Sequence, residues 1–138
     1  MKSFIYTFIS AMAGVVASFL GGWSFAIQTL IVFMVIDYIT GIIVAGVFKN
    51  STKTKNGSLK SIAGFKGICK KVCILLAVGV AVRLDKIAGT DFVHNTVIIA
   101  YCINELISII ENWGLMGLYV PPQLQKAIEI LSENNKGK

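Results

Sequence analysis

Long apolar runs alternate along the chain with short polar or glycine-rich breaks, and several of the runs are of membrane-crossing length. Residues 25–48 form the clearest: 24 positions with Asp37 as the single charge. Built as a helix at about 1.5 Å per residue, this run measures about 36 Å, enough to cross a hydrocarbon core of about 30 Å with some tilt. The preceding run, residues 4–20, has no charge and sorts by side-chain size. At about 100° per residue, Ser10, Gly14 and Ser18 share one face while Phe8, Val15 and Phe19 share the other. The Ser10, Gly14, Ser18 spacing lets another helix approach closely, either within one subunit or between subunits. Gly21-Gly22 makes a tight break, and Trp23 suits a membrane interface.

The later runs are more mixed. Residues 65–84 contain an uncharged core of only 72–82, so they span only if Lys70, Lys71 and Arg83 snorkel. Residues 85–95 read as a polar link whose histidine, His94, is expected to be solvated without a role. Residues 93–110 form an amphipathic helix: Tyr101, Asn104, Glu105, Ser108, Glu111 and Asn112 fall on one side, and Ile99, Ile103 and Ile107 cover the other. Trp113 follows as an interfacial anchor. After Val120-Pro121-Pro122, the residues Leu124, Ala127, Ile128 and Leu131 make a narrow apolar stripe on a short surface helix that Pro122 can begin. The terminal NNKGK is expected to be disordered.

The pattern therefore predicts an all-α integral membrane protein. It has four transmembrane helices, at about 4–20, 25–48, 65–84 and 93–110, and a short C-terminal amphipathic helix. Residues 1–120 form the membrane domain and 121–138 a cytoplasmic helix and tail. Three spans result if residues 4–20 lie flat on the membrane or act as a cleaved signal peptide ending near Ala11-Met12-Ala13.

Composition agrees with this and charge orients it. With 55% apolar and 14% charged residues and a mean hydropathy of +0.74, a chain of 138 residues cannot clothe a soluble core. Lys49, Lys53, Lys55, Lys60, Lys66, Lys70 and Lys71 stand in one stretch, 49–71, without an acidic residue. Such a cluster stays on the cytoplasmic side, where anionic headgroups attract it. With this loop, Lys2 and the C-terminal lysines inside, eleven basic residues face the cytoplasm and two, Arg83 and Lys86, face out. Both termini are then cytoplasmic. The net charge of +6 points to membrane lipids, since no nucleic-acid-binding signature accompanies it. Cys69, Cys73 and Cys102 lack the partners of a zinc set and read as small apolar core residues. No cofactor is implied.

The candidate chemistry lies in the polar groups inside the runs. Asp37, Thr40 and Gly41 group on one side of the second helix, and Asp37 lies about 18 Å from its cytoplasmic end. Glu105 lies one to two turns from the cytoplasmic end of its own helix, level with Lys66, Lys70 and Lys71, so a pair with Lys70 or Lys71 is within reach. Polar groups facing lipid cost several kcal/mol. Asp37 and Glu105 are therefore expected to face protein or an aqueous lumen, either as a static packing cluster or as pore lining. The small-residue faces and the polar stripe together predict a homo-oligomer.

Several stretches also carry a family resemblance. DYITGIIVAG from Asp37, SIAGFKGICKK from Ser61, VRLD from Val82 and NELISIIEN from Asn104, followed by VPPQLQKAIEIL, resemble a phage holin family. That family is shared by phages of Gram-positive bacteria and holin-like toxin-release proteins of clostridia. The resemblance runs from about Asp37 to Leu131, and NELISIIEN is its most specific part. It implies a non-enzymatic protein of the bacterial cytoplasmic membrane that assembles and opens lesions, through which a cell-wall hydrolase or a large toxin passes. Asp37, Gly41, Asn104, Glu105 and Asn112 match the family pattern and are implied to matter, without a defined chemical role. The rivals are an antiholin that restrains such a protein, a small ion channel and, least supported by the residues, a membrane enzyme.

Overall fold

The computed structural model describes residues 1–136, and these form five helices and no strand. They are α1 (Lys2–Phe19), α2 (Phe25–Gly46), α3 (Ser61–Ala88), α4 (Phe92–Leu115) and α5 (Pro122–Lys136). By length and composition α1, α2 and α4 can each cross a membrane. At 28 residues, α3 is about 42 Å long, but its six charged residues exclude it from that group on composition.

Local chemistry sets the helix ends. Gly21 and Gly22 take φ of 83° and 106°, a left-handed turn that side chains resist. The Ser24 hydroxyl then accepts the Ile27 N–H at 3.3 Å and caps α2. α2 ends at Gly46, two residues short of the apolar run, because the chain folds back through Lys49 at φ 51°. Gly57 is required in that loop: a Cβ there would strike the Lys49 carbonyl. Asn50 Nδ2 donates to the Leu115 carbonyl at 3.2 Å and ties the basic loop to the end of α4. Hence the C-termini of α2 and α4 and the N-terminus of α3 share one end of the bundle.

The expected polar link at 85–95 shrinks to three residues. α3 continues to Ala88, where Gly89 at φ 68° closes it, and α4 starts at Phe92. At the other end of the chain, α5 runs through Lys136, so the first three residues of NNKGK are helical; the last two lie outside the described residues. α5 begins at Pro122 and packs on α4, with Ile128 its buried residue.

α4 is the centre of the bundle. It packs along both α2 and α3, which touch each other only slightly. Ile27, Leu30 and Met34 of α2, Val78 and Val82 of α3 and Ile98 of α4 close an apolar core together with Leu20. This core occupies the end opposite the basic loop. Cys102 packs against it, while Cys69 and Cys73, expected in the core, are exposed on α3. The other half of the bundle mixes buried apolar residues, Val44, Ala45 and Ile109, with the buried polar groups Asp37, Glu105 and Asn112.

α1 stands apart, with no buried residue along its length. Its last residue docks it: the Phe19 ring occupies the space that a Cβ on Gly79 would fill, and the Arg83 guanidinium lies 5.4 Å from the ring centroid. Ser10, Gly14 and Ser18 are exposed, and a Cβ on Gly14 would meet nothing within 4 Å. The small-residue face is thus not used for packing within the described chain.

Candidate functional site

The polar half of the bundle centres on one lysine. Lys71 Nζ donates to Asp37 Oδ2 at 2.8 Å and to Glu105 Oε2 at 2.6 Å, joining α2, α3 and α4. The side chains are 16% (Lys71), 8% (Asp37) and 5% (Glu105) exposed, so solvent screens these contacts little. Of the two lysines in reach of Glu105, the structure selects Lys71; Lys66 and Lys70 are exposed. Two carboxylates share one ammonium, leaving one net negative charge if both are ionised.

Asn112 completes the cluster two turns further along the same face of α4. Its Nδ2 donates to the Asp37 carbonyl at 3.2 Å, to Asp37 Oδ1 at 3.1 Å and to Thr40 Oγ1 at 2.9 Å. Gly41 lies beside this amide, but a Cβ there would meet Asn112 Nδ2 only at 3.9 Å, an ordinary contact, so the packing does not require glycine at this position. Thr40 Oγ1 in turn donates to the Ile36 carbonyl at 2.8 Å. Among the described residues every buried side-chain polar atom has a partner, as a polar network in a bundle interior requires.

Beside the cluster a cavity of about 510 Å³ opens toward the basic loop. Asp37, Gly41, Glu105 and Ser108 line it together with the exposed Asn104, and Lys53, Lys60, Lys66, Lys70 and Lys71 line it as well. The remaining sequence candidates fall elsewhere. Tyr101 packs against the apolar core. Lys49 and Lys55 are exposed in the loop and do not line the cavity.

A third buried carboxylate, Asp85, sits beyond the apolar stretch of α3. Its Oδ1 accepts from Thr90 Oγ1 at 2.6 Å and from the Val93 N–H at 3.1 Å; its Oδ2 accepts from the His94 N–H at 2.8 Å and lies 2.5 Å from His94 Nδ1. Asp85 thus caps the first turn of α4, where N–H groups lack helical partners. Burial alone would raise its pKa. The hydrogen bonds from His94, Thr90 and Val93 outweigh burial and hold the carboxyl well below the usual carboxylate range. His94 is therefore not a solvated bystander, and the pattern reading missed this corner. A signal was present: an acid in the last turn of α3 opposes the helix dipole and requires compensation from elsewhere.

Comparison with known proteins gives a consistent result. Residues 14–133 match the model of a bacteriophage holin family. An uncharacterised protein of Halalkalibacterium halodurans is 35% identical, the match covering 95% of this chain and 96% of the relative. An uncharacterised protein of Listeria monocytogenes is 44% identical over 75% of this chain and 69% of its own. A probable holin of Bacillus phage phi105 is 28% identical over 81% of this chain and 78% of its own. No solved structure matches.

Proposed function

This chain belongs to the bacteriophage holin family, and we propose that it acts as a holin, accumulating in the cytoplasmic membrane, assembling with copies of itself and opening lesions. A cell-wall hydrolase, or in a toxin locus a large protein toxin, then passes without any catalytic step by the holin. The reading has four spans: α3 crosses beside α4, with its lysines in the cytoplasm and Arg83 and Lys86 outside, and both termini are cytoplasmic.

The observation that carries the reading is the single lysine shared by Asp37 and Glu105 in the interior of a thin three-helix bundle. In the resting subunit this cluster satisfies charges that lipid would reject, and it fixes α3 against α2 and α4. The same polar surface of α4, running from Asn104 through Ser108, supplies a wall for water once subunits assemble. α1, docked only through its last residue and with no buried residue along its length, offers a surface for that assembly.

Induced expression in a bacterium, alone and beside a cytoplasmic wall hydrolase, tests this directly. Turbidity and respiration are expected to show abrupt growth arrest with the protein alone and lysis only with the hydrolase present. Continued growth with an intact membrane potential would overturn the reading.

A further inference from the structure

The basic cavity has a neighbour. On the outer side of the bundle an apolar groove of about 430 Å³ runs between α2 and α3, where the two helices barely touch. Met34, Val35 and Ile39 form one wall and Ile68, Val72 and Leu75 the other. Val35, Ile39, Ile68 and Val72 are about half exposed, so the groove is open along its side. Cavity and groove meet at Tyr38 and Lys71, which line both.

The two spaces differ in chemistry. Five lysines line the cavity against two carboxylates, and Asp37 and Glu105 are already engaged by Lys71. Among the described residues, Lys53, Lys60, Lys66 and Lys70 make no ion pair. An excess of positive charge at the cytoplasmic end thus adjoins an apolar furrow that leads toward mid-membrane. Each volume falls within the range of about 300–1,000 Å³ typical of ligand sites.

We propose that cavity and groove together hold one anionic phospholipid of the cytoplasmic leaflet. Its phosphate lies among Lys53, Lys60, Lys66 and Lys70, its glycerol at Tyr38 and Lys71, and one acyl chain along the α2–α3 furrow. The order of the parts matches the direction in which a lipid of that leaflet stands: headgroup at the basic end, chain toward the centre. A free phosphate would account for the cavity but would leave the groove unexplained. The proposal rests on the chain's being a membrane protein and not on its opening lesions, so the two fail separately.

The test uses the full chain reconstituted in phosphatidylcholine bilayers, with a trace of spin-labelled phosphatidylglycerol or spin-labelled phosphatidylcholine. Electron paramagnetic resonance reads the fraction of probe whose motion the protein restricts. A preference for phosphatidylglycerol of roughly fivefold or more is expected, as attraction to several lysines implies. Exchange of two cavity lysines in K66Q/K70Q should reduce the preference to below about twofold. K2Q/K126Q removes the same charge away from the cavity and should retain the preference. V72F narrows the groove at an exposed position and should lower retention of phosphatidylglycerol without changing the melting temperature. Equal restriction of the two probes, or equal loss in both lysine pairs, would overturn the site in favour of a diffuse field. Complete displacement by glycerol phosphate, or undiminished retention in V72F, would overturn the role of the acyl chain and leave a free-anion site.

Discussion

Two buried carboxylate centres solve the same problem by opposite means. Asp85 is served locally, by Thr90, Val93 and His94, five to nine residues away across one tight corner. Asp37 and Glu105 share one cation, Lys71, 34 residues from each and on a different helix from either, and Asp37 also accepts from the distant Asn112 amide. The corner forms wherever α3 and α4 are joined by their short turn. The central cluster exists only when three helices are correctly packed. Local donors therefore make a joint, and a shared side-chain charge makes a lock that depends on tertiary packing.

The largest test of that contrast is Lys71→Met. It leaves two buried carboxylates without their cation, and breaking buried charge pairs in this way costs about 3–5 kcal/mol. Unfolding of the purified protein in detergent should show a loss of that size, and a loss below about 1 kcal/mol, the worth of a surface pair, would mean the cluster is no lock. Single neutralisations come next: Asp37→Asn and Glu105→Gln each leave Lys71 with one carboxylate, so each should destabilise less than Lys71→Met. Each should also alter the time at which growth stops in the expression assay. Normal timing in both variants would remove these charges from the function.

The smallest effect is expected at the corner. Asp85→Asn keeps an acceptor for the α4 N–H groups and should lower the melting temperature less than Lys71→Met does. The pH dependence sharpens this. Because the folded state holds the Asp85 pKa below its ordinary value of 3.8, the unfolded chain takes up the proton first. The stabilising contribution is then fully present above pH 3.8 and fades as pH falls below it. Melting curves taken at falling pH should show this component in the native protein and lack it in Asp85→Asn.

Much of this architecture was legible in the order of residues. Run lengths gave the main helices, Gly21-Gly22 gave the turn before α2, Pro122 opened α5, and the stripe through Glu105 and Asn112 marked the polar face of α4. What the pattern misjudged depended on neighbours. Cys69 and Cys73 looked like core residues by size, yet the face of α3 that carries them meets no other helix. His94 looked solvated by its surroundings in sequence, yet the turn at Gly89 folds it onto Asp85.

The division has a physical cause. Hydrophobic periodicity, turn chemistry and charge segregation act within a few residues or along one helix, so the sequence by itself determined an all-helical membrane protein with a basic loop between its second and third helices. Which lysine joins which carboxylate depends on the rotation and depth of three helices at once. Lys70 and Lys71 are adjacent in the chain but point about 100° apart on a helix, and only packing against α4 turned Lys71 inward. The same packing left α2 and α3 separated along one side, so the furrow between them, like the lock, is a property of the tertiary structure alone.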